Sequence, residues 1–331
     1  MVTGRTLWFE EPRRVVIKPH ELAPIEDGEV LVRTAFSGIS AGTEMLAYRG
    51  ELDPELPIDE TIGALGGTFR YPFRYGYSSV GVVEQSRSAL AEGELVFAFQ
   101  PHQDMFIARA VDVVALGAID ARNATLFPLV ETALQITLDA GPLLGETVVV
   151  LGLGVVGALS ALMLRRAGAR VVAVEPRAWR RDAIAGLGVE PVAPDSLERA
   201  LGSGRRSPVV PMVIEASGNP DALRSAFGLL AHEGTVLVAS WYGNKEVALP
   251  LGKEFHRRRL TIRSTQVSSI PAVLANRWDR DSRTRAVVAL LAELPLDRLA
   301  SHTFGFEDAG DAYAAIDEGS EGLMHAALGY R

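Results

Sequence analysis

The sequence predicts an α/β protein in which a β-rich N-terminal domain accompanies a doubly wound parallel sheet with helices on both faces. Three observations predict this fold. About the first 120 residues carry short strand-like runs, separated by turns rich in glycine and proline. From about residue 123 onward, strand and helix patterns alternate, as in a parallel sheet with helical crossovers. Within that part, residues 147–175 run from an apolar strand through a glycine-rich turn into an apolar helix and a second strand.

The N-terminal part is predicted to be a twisted antiparallel barrel or sandwich. Residues 6–9 and 14–18 flank the polar turn Glu10-Glu11-Pro12-Arg13, a spacing typical of a hairpin. Further strands are predicted at residues 28–36, 77–84 and 94–99. Irregular segments that contain glycine and proline lie between them, notably residues 53–72.

The second part is predicted to hold six parallel strands joined by helical crossovers. The strands are predicted at residues 148–151, 171–174, 190–192, 212–215, 235–239 and 261–266, with helices at 178–187, 195–201 and 220–231 as well as after the glycine turn. The C-terminal residues carry amphipathic helical patterns at 283–294 and 306–317. Because these patterns have no core of their own, they must pack on another part of the molecule.

The glycine-rich turn has the GxGxxG spacing of a dinucleotide-binding, Rossmann-type fingerprint. Gly152 would make the tight turn, Gly154 would let the backbone approach a pyrophosphate, and Gly157 would let the helix and strand pack closely. The helix N-terminus, which includes Val156, would present N–H groups and a positive dipole end to the phosphates. The alternative is a purely structural strand-turn-helix unit. The strand before, the helix after and an acidic residue at the end of the second strand favour dinucleotide binding.

Glu175 is that acidic residue, and it favours NAD over NADP. A carboxylate there accepts hydrogen bonds from the ribose hydroxyls and repels a 2′-phosphate. Arg177, Arg180 and Arg181 follow at once, and arginine is the usual phosphate-binding residue. These arginines could equally stack on the adenine or lie solvated on a helix.

The loops after the fourth and fifth strands carry Ser217, Ser240 and Trp241. Ligands of doubly wound sheets bind at the carboxyl ends of the strands. We therefore expect these three residues to face the nicotinamide.

Composition excludes several classes of function. The formal net charge is -8, which disfavours binding to nucleic acid or to an anionic membrane. There are no cysteines, so disulfides, thiolate nucleophiles and cysteine metal sites are excluded. The sequence has neither a signal-peptide pattern near its start nor an apolar run long enough to span a membrane, and we expect a cytoplasmic protein acting on a small molecule.

Four segments resemble motifs of the medium-chain dehydrogenase/reductase family, alcohol dehydrogenase type. They are SGISAGTE with YRG at 37–50, GYSSVG at 76–81, VIEASG at 213–218 and the segment from His302 to Asp317. The resemblance covers nearly the whole chain and implies a GroES-like catalytic domain beside the Rossmann domain. In that family the C-terminal segment folds back onto the first domain. The implied division is residues 1–122 with 268–331, and residues 123–267.

The zinc ligands of that family are missing here. The resemblance aligns them with Ala41 or Ser40, with Tyr77, with Ser78 and with Pro128, none of which is a usual zinc ligand. The four-cysteine structural lobe is also absent. The sequence therefore predicts a zinc-free member, similar to the branch of bacteriochlorophyllide side-chain dehydrogenases in its SAGTE and FHRRRL segments.

Without zinc, side chains must polarise the substrate oxygen, and four candidates emerge. Thr43 aligns with a proton-relay hydroxyl of the family, and Tyr77 could place its phenol in the former metal site. His102 lies in the loop that replaces the zinc lobe and titrates near neutrality. Glu131 begins a helix beside the expected nicotinamide site.

Each candidate also has a structural interpretation. Tyr77 could fill the core, and His102 could lie in a solvated turn. Glu131 could complement a helix dipole, and Thr43 could bond to the backbone.

The sequence thus predicts a zinc-independent, NAD-preferring oxidoreductase that interconverts a secondary alcohol and a ketone. The alternatives are an NADPH-dependent enone or quinone reductase and an inactive nucleotide-binding homologue. The strand pattern at residues 261–267 would lie at a sheet edge, which invites pairing with a second chain. Together with family precedent this predicts a homodimer.

Overall fold

The computed structural model describes residues 2–202 and 209–330. They form two compact units, one comprising the chain up to Pro128 together with the segment from Thr284, the other spanning Leu129–Arg283. The predicted fold class, a Rossmann sheet plus a mostly antiparallel β domain, is confirmed.

The strands are β1 (Val2–Glu11), β2 (Arg14–Leu22), β3 (Glu29–Ile39), β4 (Ser79–Ser86), β5 (Leu95–Ala98), β6 (Met105–Arg109), β7 (Val113–Ala115), β8 (Thr147–Leu151), β9 (Arg170–Val174), β10 (Glu190–Val192), β11 (Val210–Glu215), β12 (Leu230–Val238), β13 (Thr261–Ser264), β14 (His302–Gly305) and β15 (Ala326–Gly329). The helices are α1 (Thr43–Arg49), α2 (Ala121–Ala124), α3 (Phe127–Ala140), α4 (Val155–Arg166), α5 (Ala178–Ile184), α6 (Leu197–Leu201), α7 (Pro220–Leu229), α8 (Arg280–Glu293) and α9 (Ala309–Glu318). None of these described helices is both long and apolar enough to cross a bilayer.

The units divide at later residues than the family resemblance implied. Residues 268–283 belong to the second unit, in which Arg283 is bonded to α3. Its Nε donates to Glu131 Oε1 at 3.0 Å and its Nη1 donates to Gln135 Oε1 at 2.8 Å. A sequence pattern could not reveal this tie, since the partners lie about 150 residues away.

The first unit combines the β1–β2 hairpin with a sheet of order β14-β15-β3-β4-β5-β7, in which β6 also pairs with β3. The C-terminal strand β15 lies antiparallel to β3, with Ala326 opposite Ile39. Helix α9 packs its Tyr313 ring on Phe9 and Tyr48, at centroid distances of 5.3 and 5.2 Å. The C-terminal segment is therefore buried against the N-terminal core of this unit.

The second unit contains a parallel sheet of order β10-β9-β8-β11-β12-β13. Counted from β8, this is the 3-2-1-4-5-6 order of dinucleotide-binding sheets. The order reverses between β8 and β11, so the carboxyl ends of those two strands and of β9 meet at one edge. Strand β13 ends the order, with Ile262 37% exposed, and its pairing with a second chain remains a prediction.

Candidate functional site

The glycine turn after β8 leaves room for a ligand at one glycine and is closed at the other two. Gly152 has φ +95°, and a Cβ there would lie 2.7 Å from the Ser217 Cα. A Cβ on Gly157 would lie 2.0 Å from the Gly152 carbonyl oxygen. In contrast, a Cβ on Gly154 would meet no described atom within 4 Å. Gly152 and Gly157 are thus required by packing, whereas Gly154 borders open space, as an approaching pyrophosphate requires.

The carboxylate of Glu175 ties the glycine turn to the end of β9. Its Oε2 accepts the Leu153 N–H at 3.0 Å, and its Oε1 accepts the Arg177 N–H at 3.0 Å. The residue is only 3% exposed. Two carboxylate oxygens offer about four acceptor positions, so capacity remains for ribose hydroxyls.

Two of the three arginines after Glu175 make local side-chain contacts. Arg181 donates from Nη1 to the carbonyl oxygens of Glu175 and Pro176, at 2.7 and 2.8 Å. Arg180 Nη1 lies 3.7 Å from Glu175 Oε2, and its guanidinium lies 5.0 Å from the centre of the Trp179 ring. Burial lowers the pKa of the Arg180 guanidinium, and Glu175 partly offsets this effect. The Arg181 contacts leave less of its guanidinium for a 2′-phosphate.

The loops after β11 and β12 are organised by Glu215, a fully buried residue that the sequence analysis did not single out. Its Oε1 accepts the Ser217 N–H at 2.7 Å and the Ser217 hydroxyl at 2.6 Å. The Gly218 N–H donates to Ser240 Oγ at 2.9 Å. Ser217 and Ser240 therefore shape the loops, while Trp241 is 44% exposed. The sequence feature that could have indicated this role of Glu215 is its position in the VIEASG motif.

In the first unit, Tyr77 forms a hydroxyl cluster with Ser40 and Thr43. The hydroxyls of Ser40 and Thr43 lie close enough to the half-buried Tyr77 phenol to affect its pKa. Burial, followed by the charge of Glu44, raises the pKa of Tyr77 to about 12, and the two hydroxyls partly offset the rise. The phenol is therefore a protonated donor at neutral pH.

Strand pairing brings this cluster together. Strands β3 and β4 are antiparallel neighbours with Ser37 opposite Ser79, and the Gly38 N–H donates to the Ser78 carbonyl at 2.9 Å. The residues just after β3 and just before β4 therefore meet, and these include Ser40 and Tyr77. Thr43 begins α1, one short turn further on.

His102 belongs to a buried network rather than to a solvated turn. It is fully buried, with Nε2 2.9 Å from Glu44 Oε2 and Nδ1 2.6 Å from Ser37 Oγ. Ser37 Oγ lies 2.8 Å from the Tyr330 hydroxyl, and the Tyr313 hydroxyl donates to Glu44 Oε2. Both ring nitrogens of His102 are thus engaged by protein groups.

Glu131 lies in the second unit and is paired with Arg283 at 3.0 Å, with both side chains less than 10% exposed. Burial raises the pKa of Glu131, and Arg283 counteracts that rise. The sequence interpretation of Glu131 as a helix-dipole charge overlooked this partner. The contact makes Glu131 part of a buried ion pair.

The residues aligned with the family's zinc ligands do not fit zinc. Ser78 donates its hydroxyl to the Thr125 carbonyl at 2.6 Å, and the Tyr77 phenol lies beside the Ser40 and Thr43 hydroxyls. In residues 2–202 and 209–330, no group of three or more His, Cys, Asp or Glu side chains is placed to hold a metal ion. Zinc prefers thiolate, imidazole and carboxylate ligands, and this set offers hydroxyls instead.

Comparisons with known proteins agree with this fold. Residues 155–283 match the family described as zinc-binding dehydrogenase. The chain is 28% identical to D-guloside 3-dehydrogenase of Escherichia coli (strain K12) over 295 residues, which cover 81% of this chain and 83% of that protein. It is 27% identical to 2-desacetyl-2-hydroxyethyl bacteriochlorophyllide A dehydrogenase of Cereibacter sphaeroides over 327 residues, covering 92% of this chain and 91% of the other.

Among solved structures, an alcohol dehydrogenase from Escherichia coli CFT073 in complex with NADH superposes with a TM-score of 0.77. Its sequence identity is 16%, with 99% of each chain covered, so this likeness concerns the fold alone. The family match, the dehydrogenase relatives and the shared two-part fold agree with one another. The chain therefore resembles the medium-chain dehydrogenases/reductases of the alcohol dehydrogenase type, and it is an oxidoreductase.

Proposed function

We propose that this protein is a zinc-independent, NAD-preferring dehydrogenase/reductase that interconverts a secondary alcohol and a ketone on a small polar or ring-bearing metabolite. The observation that carries the proposal is the Tyr77 phenol, which strand pairing places beside the Ser40 and Thr43 hydroxyls, at a position that the family resemblance aligns with a zinc ligand. A protonated phenol there can polarise a carbonyl oxygen, which is the task that zinc performs in other members.

The second unit supplies the groups that would hold NAD. The open space at Gly154, the N-terminus of α4 and the N–H groups around Val156 suit a pyrophosphate. Glu175 would accept the ribose hydroxyls and repel a 2′-phosphate. Ser217, Ser240 and Trp241 would lie toward the nicotinamide, at the carboxyl ends of β11 and β12. The NADH-bound structural neighbour supports a nicotinamide cofactor.

The bound nicotinamide would supply or accept the hydride. In the reductive direction Tyr77 would donate its hydrogen bond to the carbonyl oxygen, then transfer the proton as negative charge develops there. Ser40 and Thr43 lower the pKa of the Tyr77 phenol, so they would stabilise the phenolate that remains. In the oxidative direction the phenolate would accept the alcohol proton, and because the pKa of Tyr77 is about 12 the rate of oxidation should rise with pH.

The curated relative D-guloside 3-dehydrogenase supports a secondary alcohol on a sugar-like ring as substrate. We expect the purified protein to reduce NAD with a methyl D-guloside or a related secondary polyol, and EDTA to leave the rate unchanged. The screen would include simple ketones, enones and quinones with NADH and NADPH. Turnover on enones and quinones alone would contradict the proposal in favour of a double-bond reductase, and loss of activity on chelation would contradict zinc independence. Absence of turnover together with intact NADH binding would favour an inactive homologue.

We expect NADH to stabilise the protein more than NADPH. A ligand at about 100 times its Kd adds about 2.7 kcal/mol to the free energy of unfolding. Thermal unfolding with each cofactor at equal concentration measures the difference. Glu175→Gln should shrink the preference by removing the charge that repels a 2′-phosphate, whereas Glu190→Gln, at a half-exposed glutamate of the same unit, should preserve it. Equal stabilisation of the wild-type protein by both cofactors would overturn the assignment of Glu175.

A further inference from the structure

We infer that Glu44 is a positioning residue for Tyr77: its buried carboxylate fixes the turn that places the Ser40 and Thr43 hydroxyls beside the phenol. The inference rests on the proposed function, in which Tyr77 donates to the substrate oxygen. Glu44 is fully buried and both of its oxygens are occupied. It therefore acts through Tyr77 and does not touch the substrate.

Two hydrogen bonds between Ser40 and Glu44 close the 40–44 turn. The Glu44 main-chain N–H donates to the Ser40 carbonyl at 2.9 Å, and the Ser40 N–H donates to Glu44 Oε1 at 2.8 Å. These reciprocal bonds resemble a capping box and tie both ends of the turn. Because Ser40 and Thr43 lie at the two ends of this turn, fixing it fixes both hydroxyls relative to each other.

The other carboxylate oxygen of Glu44 is anchored in the core. Glu44 Oε2 meets His102 Nε2 at 2.9 Å and accepts the Tyr313 hydroxyl. The main chain of His102 is itself held, since its N–H donates to the Tyr75 carbonyl at 3.2 Å and its carbonyl accepts the Leu7 N–H at 2.8 Å. Glu44 thus connects the turn to a part of the core with little freedom to move.

The hydrogen bonds that end at Glu44 can all run in one consistent direction. With a neutral imidazole, the Tyr330 hydroxyl donates to Ser37, Ser37 donates to His102 Nδ1, and His102 Nε2 donates to Glu44. Each hydroxyl and the imidazole then donates one hydrogen bond in this series, and the Glu44 carboxylate is the final acceptor. A neutral amide in place of Glu44 has one acceptor oxygen for three donors, so part of this arrangement must be lost.

The geometry also distinguishes positioning from simple core packing. A packing role concerns only the free energy of unfolding. The turn, however, lies beside Tyr77 through the pairing of β3 with β4, and the Glu44 charge raises the pKa of the phenol. Loss of Glu44 should therefore change the properties of Tyr77 itself.

The first experiment is a double-mutant cycle on kcat in the reductive direction, with the best ketone of the substrate screen and NADH. Glu44→Gln should lower kcat about 10- to 100-fold, as expected for a misplaced catalytic group. The double variant with Tyr77→Phe should be no slower than Tyr77→Phe alone, because both changes remove the same interaction. The KM for NADH should stay near the wild-type value.

The second experiment measures the ionisation of the Tyr77 phenol in the absence of substrate. In protein labelled with ¹³C at tyrosine Cζ, Tyr77 is the one of seven tyrosine signals that disappears in Tyr77→Phe. It should not titrate below about pH 11 in the wild type, consistent with a pKa of about 12. In Glu44→Gln its midpoint should fall by about one pH unit, because a nearby negative charge no longer opposes ionisation.

His325→Gln is the matched control, because His325 is another buried histidine of the same unit, bonded to Thr125 rather than to Glu44. It should lower stability without moving the Tyr77 titration. If Glu44→Gln fails to fold, Tyr313→Phe removes one donor to the carboxylate and should show the same non-additivity with Tyr77→Phe. Additive effects with an unshifted Tyr77 signal would overturn the positioning role and leave the proposed function standing. Full activity in Tyr77→Phe would overturn both.

Discussion

Replacing Tyr77 with phenylalanine is expected to lower kcat by about 10²- to 10⁴-fold, the usual contribution of a positioned acid or base. The substitution removes one hydroxyl and retains the ring, which packs edge-on against Tyr75 at a centroid distance of 6.0 Å. Thermal stability and NADH binding should therefore change little. Steady-state kinetics on the substrate identified by the screen measure the change in kcat. Unfolding curves for both proteins measure the change in stability.

Tyr75→Phe is the matched control, because it removes a neighbouring, buried tyrosine hydroxyl that does not belong to the cluster with Ser40 and Thr43. Its kcat should stay near the wild-type value. Since burial and Glu44 raise the pKa of Tyr77 to about 12, reduction should not lose this donor until the pH approaches that value. Wild-type kcat in Tyr77→Phe would remove Tyr77 from the mechanism.

Alanine substitutions at Gly157 and Gly154 are expected to separate folding from cofactor binding. A methyl group at Gly157 would lie 2.0 Å from a backbone oxygen, so the turn and helix must move apart. Overpacking of this kind costs about 1–3 kcal/mol or more. Gly157→Ala should therefore lower the melting temperature and weaken NADH binding together.

Gly154→Ala is the matched control for folding. Gly154 has φ −65°, which any residue adopts, and a Cβ there meets no described atom within 4 Å. Stability should thus remain near wild type, while the Kd for NADH should rise about tenfold or more because the methyl group occupies the pyrophosphate approach. Thermal unfolding and NADH titration of both variants test the pair. Unchanged NADH affinity in Gly154→Ala would argue that no pyrophosphate approaches this turn.

Much of the second unit could be predicted from local patterns. Residues 148–151 and 171–174 lie within β8 and β9, because apolar β-branched runs next to a glycine turn have few other stable conformations. The first unit was harder. Strands β14 and β15 were not predicted, since each has only four residues and β15 is defined by its pairing with β3, almost at the other end of the chain.

The candidate site divides in the same way. Tyr77 and Thr43 were proposed from aligned motifs and His102 from its place in the loop that replaces the zinc lobe, and the structure places the first two in one cluster. Glu44 stood in the quoted SAGTE segment, yet nothing local indicates that His102 and Tyr313 converge on its carboxylate from 58 and 269 residues away.

The sequence by itself determined the roles open to particular residues: which glycines could form a phosphate turn, where an acid could meet a ribose, and that no cysteine was present to bind zinc. These follow from residue chemistry and from backbone conformations set by near neighbours. Only the tertiary structure shows that Glu131 is paired with Arg283 and that His102 is buried. It also places Tyr77 beside two hydroxyls and the buried Glu44 carboxylate. Burial and electrostatic interaction depend on which distant segments pack together, and that information is distributed over the whole chain.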